Sequence, residues 1–310
     1  MASIGLVLRS TGSWYDLRDV ETGEEYRGRL RGKLKLEGFK LTNPIAVGDR
    51  VYFEEENKEE KTVRILNIEE RKNYLIRQST RKRYSGHIIA ANIDQAYVMA
   101  TLTLPRTSLG FIDRFLVAAT SSDIPSGILF NKTDLLDQEG MEYLAELREL
   151  YEDLGYRTLV TSALEDEEQK EVKQLLKGKK TLLAGHSGVG KSTLANALAP
   201  QIGQKTAEVS NFAKKGVHTT TFAEMFETSP QTFLIDTPGI KELGIIGLEE
   251  NQIGFYFPEI RGYAKDCKYY NCSHIHEPGC KVIEAVENGH IHPERYNSYL
   301  SILENYDNRR

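Results

Sequence analysis

Residues 180–198 read KTLLAGHSGVGKSTLANAL, a short apolar run, a glycine-rich turn and a helix-forming stretch in unbroken succession. Within it Gly185, His186, Ser187, Gly188, Val189, Gly190, Lys191 and Ser192 fit G-x-x-x-x-G-K-[ST], the phosphate loop. Each residue type has a task. Glycines let the backbone wrap round phosphates with its N–H groups turned inward. Lys191 would reach the β- and γ-phosphates and Ser192 would ligate Mg2+. The helix amino terminus, which includes Thr193, adds partial positive charge. A glycine-rich turn without a ligand is the plain alternative, and strand, lysine, serine and helix in register argue against it.

Downstream, TFLIDTPGI (232–240) puts Asp236 at a strand end, where it would hold Mg2+ through water. Gly239 would present its N–H to the γ-phosphate. In KKGVHTTTF (214–222), Thr219 or Thr220 would ligate Mg2+ from a loop that orders with the γ-phosphate. These segments read phosphate and metal, and the base is read upstream. Asn131, Lys132, Thr133 and Asp134 close the apolar run GILFN. The Asp134 carboxylate would accept from guanine N1–H and the 2-amino group together. Adenine has a lone pair at N1 and no 2-amino group, so a buried mismatch rejects it. Lys132 would lie along the base, and Asn131 would tie this loop to the phosphate loop. Thr161, Ser162 and Ala163 follow the run RTLV and would offer a backbone amide to guanine O6. The order is permuted: base-reading motifs precede the phosphate loop. A sheet tolerates this if the old termini lie close together. One consequence is that residues after Gly239 lead straight into the carboxy-terminal segment.

Further outward, apolar runs at 96–102, 127–131, 157–162, 180–185 and 232–236 alternate with helical stretches such as 111–122 and 139–155, the second closed by Gly155. That pattern predicts a parallel sheet covered on both faces. The first seventy or so residues instead read as short strands with turn signals, a small five-stranded barrel. Arg27, Arg29, Arg31, Lys33 and Lys35 alternate with glycine and leucine, so a strand would put all five cations on one face. Such a stripe suits an RNA backbone, although a solvated strand face is the ordinary alternative. Trp14, Tyr15 and Tyr26 are read as core ahead of base stacking. The 71–92 stretch reads as a basic connector.

Near the carboxyl end Cys267, Cys272, His274 and Cys280 form C-x4-C-x-H-x5-C, with His276 as a spare. Three thiolates and an imidazole suit one closed, structural Zn2+. These are the only cysteines of the 310 residues, which argues against a disulfide framework and points to a reducing cytoplasm. Nor does any apolar stretch reach bilayer length, and no secretion signal is legible. The formal net charge of -5 hides basic patches, and the local field is what an RNA meets.

Together, GHSGVGKSTL, NKTD before it, GVHTT, DTPG and CKYYNCSHIHEPGC resemble the ribosome small-subunit-dependent GTPase family (RsgA, also called YjeQ or YloQ), end to end. The resemblance implies an OB-fold RNA-binding domain (1–72), a circularly permuted α/β P-loop GTPase domain (73–248) and a small, mostly helical zinc domain (249–310). It implies a late maturation factor of the small ribosomal subunit, binding GTP, GDP and rRNA, with subunit-stimulated hydrolysis. A monomer with no membrane partner is expected. Ile240 stands where many GTPases carry the glutamine that orients the attacking water, so unassisted hydrolysis should be slow. His218 matches the family's G-x-H-T-T histidine and is the catalytic candidate, a mobile surface histidine being the alternative. A second functional reading is an RNA-binding assembly adaptor, with GTP as a structural or regulatory ligand and incidental turnover.

Overall fold

The computed structural model describes residues 2–30, 40–41, 43–78, 85–162, 166–198, 223–237 and 248–307. In chain order the amino-terminal strands are β1 (Ser3–Ser10), β2 (Tyr15–Asp19), β3 (Glu25–Leu30), β4 (Lys40–Leu41), β5 (Arg50–Asn57) and β6 (Thr62–Ile68). The order β1-β2-β3-β6-β5 returns to β1, so five strands close a barrel, with β3 parallel to β6 and the other pairs antiparallel. Alternating inward residues fill it: Val7, Tyr15, Leu17, Val51, Phe53, Val63 and Ile65 are all buried. Closure removes the free edges that an open sheet of this size would expose.

The 71–92 stretch is not a connector. It holds β7 (Tyr74–Gln78) and β8 (Ser85–Ala91), an antiparallel hairpin, with β4 parallel to β8. Flanking asparagines hold it by pairing with backbone. Asn43 Oδ1 accepts from Ile88 N–H while its Nδ2 donates to Ile88 O, both at 2.9 Å. Asn73 does the same with Ile93, at 2.8 and 2.9 Å. Arg71, at the head of this basic stretch, is spent inside. Its Nε and Nη2 each donate to Asp49 at 2.7 Å, and Asp49 is fully buried. The cations masked a strand pattern whose apolar members, Leu75, Ile88 and Ala90, are buried.

The alternating part of the sequence comprises β9 (Gln95–Ala100), α1 (Leu109–Thr120), β10 (Ser126–Asn131), α2 (Gln138–Asp153), β11 (Arg157–Thr161), α3 (Asp166–Leu176), β12 (Lys180–Ala184), α4 (Lys191–Leu198), β13 (Glu224–Ser229) and β14 (Thr232–Asp236). Its five apolar runs form parallel strands as expected, and two elements the pattern did not mark, α3 and the antiparallel β13, join them. Strands run β11-β10-β9-β12-β14, all parallel, then β13 antiparallel. Successive strand residues serve opposite faces, as the pleat requires. Val98, Ala100, Phe130 and Leu182 pack with Phe115 and Leu116 of α1. Tyr97, Met99, Leu129 and Leu183 pack with Val172 of α3 and Leu194 of α4. The permutation is accommodated at the centre: β12 lies between β9, where the permuted domain starts, and β14, where its sheet ends. Beyond β13 the ladder continues into β1, so among the described residues eleven strands share one sheet.

The carboxy-terminal segment adds α5 (Glu250–Ile253), α6 (Pro258–Ala264), α7 (Lys281–Glu287) and α8 (Pro293–Asp307). Helix α8 packs on α1 around a buried ionic cluster. Arg295 donates to Asp113 at 2.5 Å and to both Glu259 oxygens at 2.7 and 3.2 Å. Tyr151 donates to Asp113 at 2.7 Å, and the Phe257 ring lies 4.8 Å from the guanidinium. Burial works against the Arg295 charge, but Asp113 and Glu259 hold it protonated far above neutrality. Burial likewise pushes the Asp113 carboxyl up, with Arg295 opposing. No helix among the described residues is long and apolar enough to cross a membrane.

Candidate phosphate-loop site and metal centre

The loop between β12 and α4 is shaped by positions only glycine fills. A Cβ on Gly185, at φ +150, would lie 2.6 Å from Met99 O. Gly190, at φ +104, leaves room for Asn131. Lys191 Nζ folds back over the loop and donates to Gly185 O at 2.8 Å and His186 O at 2.9 Å. Burial lowers the Lys191 pKa, with Asp236 opposing. Val189 is buried, whereas Ser187, Gly188, Ser192 and Thr193 line an exposed rim open to a ligand. The His186 ring packs on Phe111 of α1, centroids 4.0 Å apart.

Asn131 ends β10, and its Nδ2 donates to Val189 O at 2.7 Å, joining the upstream motif to the phosphate loop. Lys132 takes the left-handed conformation (φ 63) and starts a short 3-10 turn over Thr133–Leu135, with Asp134 exposed. Lys132 Nζ donates to Leu104 O at 3.1 Å. Thr161 pairs in register with Asn131, and Thr161 and Ser162 are buried at the end of β11. Asp236 ends β14 opposite Leu183. Its Oδ1 is buried with no hydrogen-bond partner among the described residues. Burial pushes its carboxyl up, while Lys191 and the Thr237 amide oppose this. The described motif residues thus gather at the carboxyl ends of β10, β11, β12 and β14, the crevice where open parallel sheets bind ligands. Ala163, His218, Thr219, Thr220 and Gly239 lie outside the described residues.

A cleft of about 610 Å3 opens beside the base-reading motif, lined by Leu102, Arg106, Leu135, Asp137, Glu142 and Tyr143 among others. Its acidic lining would repel phosphates, which the amides and Lys191 of the loop would attract. Sequence reasoning missed Phe111 and Leu104, which brace His186 and Lys132. No local signal marks them, because their partners come from distant segments.

Cys267, Cys272, His274 and Cys280 converge, with their ligand atoms all within 4.8 Å of one another. His274 Nδ1 is 3.6 Å from Cys267 Sγ and 3.4 Å from Cys280 Sγ, and the two sulfurs are 3.9 Å apart. Thiolates about 2.3 Å and an imidazole nitrogen about 2.0 Å from one tetrahedral ion stand roughly 3.5–3.8 Å apart, so the cluster is compatible with a single zinc ion. The loop is held from outside. Burial disfavours the Glu277 charge, yet hydrogen bonds from the Ser273 hydroxyl and nearby amides keep its carboxyl far below the usual range. From α8, Tyr296 and Tyr299 donate to His274 O and Ser273 O at 2.6 and 2.8 Å. His276 is exposed and outside the cluster.

On the barrel, Arg27 and Arg29 are exposed and Gly28 between them is buried, so the cations do share a face. Arg31, Lys33 and Lys35 lie outside the described residues. The described part of the stripe is not free of acid: Arg29 makes a forked pair with Glu56 at 3.0 and 3.2 Å. Trp14 is half-buried rather than core, with the Arg27 and Arg29 guanidinium groups 5.0 and 5.7 Å from its ring centre. Tyr15 is core, and Tyr26 packs on Phe53 at the barrel edge.

Comparison with known proteins gives one answer. Residues 68–246 match the RsgA GTPase family and residues 4–63 the RsgA N-terminal domain. The chain is 48% identical over 300 residues to the small ribosomal subunit biogenesis GTPase RsgA of Bacteroides fragilis strain YCH46, covering 97% of this chain and 96% of that one. It is 47% identical over 306 residues to the protein of the same name from Cytophaga hutchinsonii, covering 99% of each. Among solved structures it is similar to YjeQ from Thermotoga maritima (TM-score 0.77, 34% identity, full coverage of both chains). It is also similar to YloQ, a circularly permuted GTPase (TM-score 0.73, 28% identity, covering 100% of this chain and 96% of that one).

Proposed function

The chain belongs to the RsgA GTPase family, and from that premise we propose that it is a GTP hydrolase that acts in biogenesis of the small ribosomal subunit. One observation carries the site reading: Asn131 donates to Val189 O, tying the base-reading motif to the phosphate loop although their order in the chain is inverted. Asp134 selects guanine, with Lys132 and Thr133 shaping its loop and Ser162 and Ala163 facing O6. The loop amides from Gly185 to Gly190, with Lys191 and Thr193, hold the phosphates. The buried Asp236 Oδ1, without a hydrogen-bond partner among the described residues, fits a cation site, which Ser192, Thr219, Thr220 and Asp236 would form around Mg2+. When bound, Mg2+ neutralises charge developing on the β- and γ-phosphate oxygens. Gly239 would contact the γ-phosphate and His218 would orient the attacking water, since Ile240 cannot.

The cysteine–histidine cluster holds one structural Zn2+; four protein ligands leave no open position for a catalytic water. Arg27 and Arg29, with Arg31, Lys33 and Lys35, give the barrel (1–72) an rRNA-facing surface, whereas 73–248 carry the nucleotide and 249–310 the zinc. The protein works as a monomer in the cytoplasm. Binding of labelled GTP, XTP and ATP to the wild type and Asp134→Asn tests the site. The variant should lose GTP affinity and gain XTP affinity, because an amide cannot accept from both guanine donors. Unchanged GTP affinity would refute the assignment of Asp134.

A further inference from the structure

A row of charges runs from the amino-terminal barrel into the nucleotide site. Residues paired directly across neighbouring strands project from the same face. Asp16 on β2 pairs with Arg9 on β1, Arg9 with Glu224 on β13, and Glu224 with Asp236 on β14. Two carboxylates, Glu224 and Asp236, therefore stand side by side at the edge of the cation site. Each has a cation on its far side: Lys191 of the phosphate loop for Asp236, and Arg9 of the barrel for Glu224. Burial pushes the Glu224 carboxyl up, Arg9 opposes that, and Asp16 and Asp236 reinforce it. The neighbouring pairing repeats the theme, because Arg18 of β2 forms an ion pair with Glu227 of β13. The barrel is thus more than tethered to the nucleotide domain. It supplies charge to the strand that follows the GVHTT segment.

We propose that Glu224 is a second carboxylate of the Mg2+ site, set behind Asp236, and that Arg9 of the barrel tunes its pull. Glu224 draws a divalent cation towards Asp236, and Arg9 limits that attraction. Both act across partly buried space, where charges are screened less than in bulk water. The inference rests on Asp236 facing Mg2+, as read above.

The test uses the full chain with a fluorescent, non-hydrolysable GTP analogue, and the Mg2+ concentration needed to retain it is measured. No turnover enters this readout. Glu224→Gln should raise the Mg2+ midpoint and Arg9→Gln should lower it, each by about three- to tenfold. The double variant should return near the wild-type value, and Arg9→Lys, which keeps the charge, should stay there. Shifts in the same direction, or a midpoint unmoved by either glutamine substitution, would overturn the inference. Asp236→Asn is measured alongside. If that variant leaves the midpoint in place, the magnesium assignment itself has failed, a result distinct from silence at Glu224 and Arg9 alone.

Discussion

A methyl group on Gly190 would lie 2.3 Å from Asn131 Nδ2, the atom that donates to Val189 O. Gly190→Ala should therefore push the base-reading motif off the phosphate loop while leaving the sheet intact. Loss of one buried hydrogen bond, about 1–3 kcal/mol, would weaken guanine nucleotide binding by roughly tenfold or more. Titration with labelled GDP checks this, and wild-type affinity in the variant would contradict it. Cys272→Ser should likewise loosen zinc, read as metal per chain after dialysis; full stoichiometry with all three cysteines replaced would contradict the site. At this scale the sequence was legible wherever chemistry is local, as in GHSGVGKS, NKTD and the cysteine spacing. It was silent where partners are distant. Nothing near Arg29 announces Glu56, and nothing near His186 announces Phe111.

The strands β9, β10, β11, β12 and β14 and the helices α1, α2 and α4 were legible because continuous apolar strands and amphipathic helices carry different periods. Strand β13 and helix α3, short of apolar residues, were not read. Nor was the hairpin β7–β8. Its cations read as a connector, and the asparagines that pin it act only once distant segments meet. The joint between α1 and α8 was hidden for the same reason, since Asp113, Glu259 and Arg295 are far apart in the chain. Arg295→Ala strands two buried carboxylates and should cost about 3–5 kcal/mol. Denaturant unfolding of the variant measures the loss. A change below about 1 kcal/mol would mean that the cluster contributes no more than an exposed pair.

Across the whole molecule the metal loop, α8, α1 and the phosphate loop form one packed line: Tyr296 and Tyr299 hold the loop, Arg295 holds Asp113, and Phe111 packs on His186. Removing the metal with a chelator should release amide protons of α8 to faster exchange and leave those of the barrel core unchanged. Uniform loss of protection would instead mean that zinc supports the entire fold. The barrel enters the same frame from the other side, through β1 and β13. Both flanking units therefore touch elements next to the proposed nucleotide site, α1 and β13, an arrangement suited to an enzyme whose turnover answers to a large partner. The most direct measurement is GTP hydrolysis by this 310-residue chain alone, with isolated small ribosomal subunits and with large ones. The account predicts slow turnover alone, strong acceleration by small subunits only, and loss of that acceleration in His218→Ala. No acceleration by small subunits, or equal acceleration by both, would contradict it.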